Sequence, residues 1–174
     1  VLATRFQTLA NILTGEAPVV ITTTSALLQY ILPPEVFLSH CLHLKTETCY
    51  KRDDLLSSFV SLGFVQVEMV EERGEYSVRG EILDIFPVTE PSPLRLDFFD
   101  DELESIKAFD VETQNSTGSQ NSLDLFPCSE ILFSEESKNR AMERLIPLRV
   151  NTVPQQYQYI LEQIQNGIAY SGIE

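Results

Sequence analysis

Residues 64–109 alternate between short apolar runs and turn signals, and this pattern constrains the fold more than any other feature of the chain. Four runs have the length and the β-branched and aromatic content of strands, namely Phe64–Val70, Tyr76–Phe86, Leu94–Phe99 and Leu103–Phe109. Segments rich in charge, glycine or proline separate them. Just upstream, Asp53 can cap a helix that ends near Leu62, before Gly63. The sequence therefore predicts one helix on a small, mostly antiparallel sheet.

The acidic excess of the chain is concentrated in the same region. The whole sequence holds 12 Lys and Arg against 26 Asp and Glu, a formal net charge of −14. Residues 61–113 carry 4 of these bases and 14 of the acids, which gives a net charge of −10. A general requirement for solubility would spread the acids more evenly. We therefore interpret the middle of the chain as a separate unit with its own surface.

The first part of the chain has a different secondary-structure pattern. Residues 2–13 carry an apolar helical stripe, and Pro18–Thr23 is typical of a strand that is buried in a parallel sheet. A short helix over Ser25–Leu32 is predicted to end at Pro33-Pro34. Residues 37–44 look extended. This helix, strand and helix form an α/β fragment whose sheet partners must come from elsewhere.

The last part of the chain returns to α/β character. The polar run 114–122 is predicted to be a linker or long loop, and Leu123–Phe126 a short strand. Ser134 can cap a helix to about Leu148, and Pro154 can open another through Ile164. The predicted organisation is one α/β lobe, residues 1–36 and 114–174, with a small α+β domain of residues 37–113 inserted in it.

Cysteine usage favours a reducing compartment. The three cysteines are an odd number without a C-x-x-C spacing, so we predict no disulfide framework and a cytoplasmic location. His40, Cys41, His43 and Cys49 form the one cluster with metal-ligating side chains. Their spacing matches no zinc site, and half-buried strand residues account for them. The sequence predicts no metal and no cofactor.

Motifs for catalysis and for nucleotide binding are missing. The chain has no G-x-x-x-x-G-K-[ST] loop, no G-x-G-x-x-G and no G-x-S-x-G. The acids from Asp100 to Glu104 surround a predicted turn, where a solvated turn explains them better than paired-carboxylate catalysis. A pI near 4.4 argues against a surface that neutralises nucleic-acid phosphates or anionic lipids. A catalytic or DNA-handling domain therefore lacks support, and we predict no catalytic residues.

Two arginines stand out within the acidic segment. Arg79 follows a strand and precedes Gly80, and Arg95 lies inside the strand Leu94–Phe99. One interpretation is an internal ion pair with an acid such as Asp84, Asp97 or Glu81. The other is a docking site in which a guanidinium lies beside an aromatic ring, Phe98 or Phe99, since both side-chain types dominate interface hot spots. Composition alone favours the ion pair.

Two long motifs resemble the segment that bacterial UvrB and the transcription-repair coupling factors share. They are Gly74-Glu-Tyr-Ser-Val-Arg-Gly-Glu-Ile-Leu-Asp-Ile-Phe-Pro87 and Leu94-Arg-Leu-Asp-Phe-Phe, the latter continuing to Gln114. The wider pattern also fits: Arg5 and Leu9 before Val-Val-Ile-Thr, then Leu32-Pro-Pro34, and at the end Gly167-Ile and Gly172-Ile-Glu174. UvrB usually reads Asp-Pro-Leu-Thr-Gly where this chain reads Asp110-Val-Glu-Thr-Gln114. The resemblance is therefore closer to the N-terminal, UvrB-like module of the coupling factors, with UvrB as the alternative.

The resemblance implies a fold, a partner and a binding site. It implies a degenerate UvrB-like lobe without motor motifs and an inserted domain that binds UvrA, with Arg79, Arg95 and Phe99 at the UvrA-binding surface. UvrB often has another arginine where this chain has Ser77, which implies a weaker or redistributed contact. RNA polymerase and DNA would be bound by other domains of an ATP-driven DNA translocase. The chain itself is expected to be a monomer that binds no membrane. A second hypothesis is that another domain covers this surface until the motor engages.

Overall fold

The computed structural model describes residues 2–16, 19–29, 31–129, 132, 135–145 and 158–162. The chain divides into two compact units, residues 1–130 and 131–174. In the second unit, α-helix covers Glu135–Leu145 and residues 158–162. Both helices fall within predicted ones. The predicted ends near Leu148 and Ile164, like the motif at Gly167–Glu174, lie outside the described residues.

Helices and strands of the first unit follow in chain order. The sequence begins with α1 (Leu2–Leu13), α2 (Thr24–Leu27), α3 (Pro34–Ser39), β1 (Leu42–Lys45), β2 (Thr48–Cys49) and α4 (Arg52–Ser61). It continues with β3 (Val65–Gln66), β4 (Glu75–Arg79), β5 (Ile82–Ile85), β6 (Leu94–Phe99), β7 (Glu102–Phe109), β8 (Ser116–Gln120) and β9 (Ser122–Leu125). The helix of the second unit, Glu135–Leu145, is α5.

A seven-stranded sheet dominates the first unit. Its order is β2-β7-β6-β5-β4-β3, and β8 also pairs with β7. Each pairing is antiparallel except that of β3 with β4. A separate antiparallel pair joins β1 to β9. The predicted combination of helices with a mostly antiparallel sheet is confirmed.

The core lies on one face of this sheet. Buried side chains of β5, β6 and β7 line this face, among them Leu83, Leu96 and Ile106. The ring of Phe59 on α4 packs edge-on against Tyr76 of β4, with ring centroids 5.5 Å apart. Since side chains alternate along a strand, the intervening residues of β4, β5 and β6 lie on the opposite face of the sheet.

Helix α4 is confirmed with small changes at its ends. It starts at Arg52, so Asp53 lies in the first turn, where a carboxylate favours the helix dipole, and Lys51 occupies the N-cap position. Gly63 follows the helix with φ of +89°. A Cβ there would lie 2.3 Å from the Cβ of Ser129, so both backbone conformation and space require glycine.

Several local predictions were wrong. Residues 19–23 form no strand, and the side chains of Val19 and Ile21 are exposed, because a buried strand needs sheet neighbours that the described residues do not supply. The helix predicted over Ser25–Leu32 is the single turn α2. The region 37–44, predicted to be extended, begins inside α3, since Pro34 at the first helical position starts a helix.

Three further predictions need correction. The strand predicted over Phe64–Val70 is confirmed only for the two residues of β3. The run Tyr76–Phe86 is a hairpin of β4 and β5, with Gly80 at φ of +60° in the turn, and not one strand. The segment 114–122, predicted to be a linker, contains β8, which pairs with β7 through the main chain despite its polar side chains. The predicted short strand Leu123–Phe126 is confirmed as β9. The division into residues 37–113 and the two outer segments stays a prediction.

Candidate docking surface

The three candidate docking residues lie on neighbouring strands of the large sheet. Arg79 is the last residue of β4, whereas Arg95 and Phe99 are near the two ends of β6. Strand β5 runs between β4 and β6, and Asp84 on β5 is the register partner of Arg95. We call Arg79, Asp84, Arg95 and Phe99 the arginine surface.

Asp84 brings the two arginines together. Its side chain is only 2% exposed. Arg95 donates from Nε to Oδ1 over 2.7 Å and from a terminal nitrogen to Oδ2 over 2.9 Å. Arg79 donates to the same Oδ2 from the other side. The internal ion pair with Asp84 that the composition favoured is thus confirmed for both arginines, and two cations share one buried anion.

Arg95 is held by more than this carboxylate. Its guanidinium lies 4.6 Å from the ring centroid of Phe109, which is buried, and it donates a hydrogen bond of 3.1 Å to Oε1 of Gln114. The hydrogen bond to Asp84 raises the pKa of Arg95 above its ordinary value, burial opposes this, and the charges of Asp84 and Asp97 reinforce it. Arg95 is therefore a fixed cation with a defined orientation.

A tight turn positions the side chain of Gln114 next to Arg95. The carboxylate of Asp110 accepts hydrogen bonds of 2.8 and 2.9 Å from the amide and hydroxyl of Thr113, and the Gln114 amide donates to the Asp110 carbonyl over 2.8 Å. Gln114 adopts φ of +58°, and its own side-chain amide donates to the carbonyl of Val111. This turn is formed by the Asp110–Gln114 segment that the sequence analysis singled out.

Arg79 and Phe99 provide the accessible part of the surface. The Arg79 side chain is 46% exposed, compared with 20% for Arg95. Phe99 is 62% exposed, whereas its neighbour Phe98 is buried in the core. Phe99 is four positions after Arg95, a distance of about 13 Å along β6. The surface thus combines a reachable guanidinium with an uncovered aromatic ring.

Asp97 forms a second polar cluster beside the first. It accepts hydrogen bonds of 2.7 Å from both Lys107 and Ser105 on β7. Burial acts to raise the pKa of Asp97, but these hydrogen bonds and the charges of Lys107 and Arg95 outweigh it, so the pKa lies below its ordinary value. Asp97 therefore bonds side chains of β7, whereas Asp84 is the carboxylate that bonds both arginines.

The interpretation of the histidine and cysteine cluster as half-buried strand residues is wrong. His40 and Cys41 are half-buried but follow α3 outside any strand, whereas His43 and Cys49 lie in strands but are exposed. His40 contacts the carbonyl of Val36 at 2.8 Å, and His43 contacts Asp124 at 2.6 Å. Among the described residues, no group of three or more His, Cys, Asp or Glu side chains could hold a metal ion.

Asp100 and Asp101 occupy the exposed turn between β6 and β7, as predicted. No helix in the described part of the chain is long and apolar enough to cross a membrane.

A polar cavity of about 430 Å³ lies away from the arginine surface. Residues that line it include Asn11 and Thr14 of α1, Glu90, Gln120 of β8 and Asp124 of β9. Burial raises the pKa of Glu90, partly offset by a hydrogen bond with Gln120. The cavity shares none of its lining residues with the arginine surface.

The sequence indicated the two arginines and Asp84 as a possible partner, but not the other contacts of Arg95. Asp84 was only one of three acids considered, although its polar side chain at an otherwise apolar strand was a usable signal. Phe109 and Gln114 were not identified, because their contacts with Arg95 depend on the turn between them and not on any local pattern.

Comparison with known proteins relates the chain to DNA-repair proteins. The UvrB interaction domain family matches residues 42–131. Transcription-repair-coupling factors from Bacillus subtilis, Haemophilus influenzae and Escherichia coli are 34%, 33% and 32% identical over 82%, 100% and 100% of the chain, respectively. The chain spans only 12% to 15% of the length of these relatives.

Proposed function

The chain belongs to the UvrB interaction domain family, and on this premise we propose that its arginine surface docks the repair protein UvrA. The observation that supports this function best is the pair of arginines held on one buried carboxylate beside an exposed aromatic ring. This arrangement presents hot-spot side chains in fixed positions. The similarity to transcription-repair-coupling factors agrees with the resemblance found in the sequence and favours them over the alternative, UvrB.

The charges of the arginine surface suit an acidic acceptor. Two guanidinium groups and one carboxylate leave a local excess of positive charge within a segment of net charge −10. Arg79 has five N–H groups and gives one to Asp84 in the described contacts, so the others can donate to UvrA carboxylates. The ring of Phe99 would fill an apolar pocket of UvrA.

Calorimetric titration of the 174-residue chain with UvrA tests the site. Arg79→Ala, Arg95→Ala and Phe99→Ala should each weaken binding, by about 2 kcal/mol or more for a desolvated arginine. Arg73→Ala is the matched control, because Arg73 stacks 4.9 Å from the Phe86 ring but bonds a main-chain carbonyl. Circular dichroism verifies that each variant is folded. Wild-type affinity in all three variants would overturn the assignment.

For the full-length protein we propose a role in linking stalled RNA polymerase to nucleotide excision repair in the cytoplasm. RNA polymerase and DNA would be bound by other parts, which would also supply ATP-driven translocation. The residues described here would contribute recruitment of UvrA and no catalysis. We expect the 174-residue chain neither to hydrolyse ATP nor to bind duplex DNA at low salt. Either activity would favour a catalytic or DNA-handling domain instead.

A further inference from the structure

We propose that Asp84 and Gln114 are positioning residues that fix the two guanidiniums before the partner arrives. This inference rests on the proposed docking function and adds two residues to it. Neither residue need touch the partner: Asp84 is almost fully buried, and Gln114 contacts Arg95 from the side. Both would act through the orientation of the arginines.

The geometry around Asp84 fits a positioning role. Asp84 lies on β5, between β4 and β6, and only 2% of it is exposed, so an incoming partner has little access to its carboxylate. Both of its oxygens already accept from Arg95, and Oδ2 also accepts from Arg79. Ser77 is the register partner of Asp84 on β4, but its hydroxyl donates to the carbonyl of Glu68 over 2.9 Å. Ser77 therefore does not compete with the arginines for the carboxylate oxygens of Asp84.

The opposite role would be competition, in which Asp84 neutralises the arginines and weakens docking. Three features speak against it. Asp84 takes one N–H of Arg79 in the described contacts, and nearly half of the Arg79 side chain stays exposed. One anion cannot neutralise two cations. Finally, the stack on Phe109 and the hydrogen bond to Gln114 hold Arg95 in the same orientation as Asp84 does.

Fixing the arginines in advance changes affinity by a calculable amount. Ordering one rotamer-rich side chain at an interface costs roughly a factor of 2 to 12 in the dissociation constant. Asp84 orders two arginines, so Asp84→Asn is expected to weaken UvrA binding by about tenfold or more. Gln114 orders one, so Gln114→Met is expected to weaken binding by about threefold to tenfold.

Whether Asp84→Asn weakens or strengthens UvrA binding distinguishes the positioning role from competition. Asp84→Asn should weaken UvrA binding in calorimetry, whereas competition predicts tighter binding. Asp97→Asn is the matched control, because it removes an acid from the next strand that is bonded to β7. Thermal unfolding monitors whether Asp84→Asn folds. If it does not, Gln114→Met decides, because Gln114 lies in a turn outside the core.

A double-mutant cycle shows whether Gln114 acts through Arg95. Gln114→Met should weaken binding in the wild type and cause no further loss in an Arg95→Ala background, since its contact is then gone. Equal losses in both backgrounds, or no loss in either, would overturn the inference. If Arg79→Ala and Arg95→Ala also bind like wild type, the docking proposal itself fails.

Discussion

Replacing Arg95 by alanine should destabilise the chain far more than replacing Arg79, although both arginines bond the same carboxylate. Arg95 is one-fifth exposed and makes both bonds of a two-pronged pair with Asp84, whereas nearly half of the Arg79 side chain is exposed. Water can therefore replace Asp84 at Arg79 but not at Arg95. Comparing the two substitutions therefore gives the stability contributed by a buried and by an exposed ion pair to the same carboxylate.

The magnitudes follow from burial. Breaking a buried pair costs about 3–5 kcal/mol, and the low end applies to Arg95→Ala because Asp84 keeps Arg79 as a partner. The lost contact with Phe109 is included in that value. Arg79→Ala leaves the pair of Arg95 with Asp84 intact, so its cost should be below about 1 kcal/mol, as for exposed pairs.

Urea unfolding at pH 7, followed by circular dichroism, measures the difference. The slope of the unfolding free energy against urea should be unchanged, so that shifts of the midpoint report stability. Arg73→Ala, which loses a stacked guanidinium but no buried acid, should cost about 1 kcal/mol. Equal costs for Arg79→Ala and Arg95→Ala, or a larger one for Arg79→Ala, would refute the reasoning.

Three further predictions concern the scaffold. In the same urea assay, Gly63→Ala should lower the unfolding free energy by about 3 kcal/mol, because a positive φ and a steric clash both act against the new side chain. Gly80→Ala should cost only about 1 kcal/mol, because its Cβ meets no atom within 4 Å and the positive φ is the one source of strain. Burial raises the pKa of Cys128 to about 12, so a thiol reagent at pH 8 should modify exposed Cys49 first and Cys128 only on unfolding; early labelling of Cys128 would contradict its burial. The pKa of Asp97 is lowered by folding, so its stabilisation is present above its ordinary value and is lost as the pH falls below about 4. Urea midpoints of Asp97→Asn should therefore fall less steeply with acid than those of the wild type, and parallel curves would contradict this.

The local features of residues 52–109 could be predicted from the sequence because their signals are local. Strands β6 and β7 follow from apolar alternation bounded by the turn at Asp100, and α4 from its apolar face and Gly63. Arg79 and Arg95 were recognisable because few bases occur in so acidic a segment.

Features that depend on distant partners could not be predicted. The run Val19–Ile21 has the composition of a buried strand, but burial depends on neighbours that a sequence does not display. Strand β8 was missed because main-chain pairing holds it, and polar side chains do not report that pairing. The contact of Gln114 with Arg95 requires a turn with positive φ, which no pattern in the sequence announces.

Photo-crosslinking from position 99 tests the central claim most directly, because it asks whether UvrA lies on the arginine surface. A benzophenone amino acid would replace Phe99, whose ring is exposed, and in a control chain it would replace Leu28, which is 80% exposed. The account predicts a covalent adduct with UvrA from position 99 that is lost with Arg79→Ala and Arg95→Ala combined, and none from position 28. An adduct from position 28 with none from position 99 would contradict it.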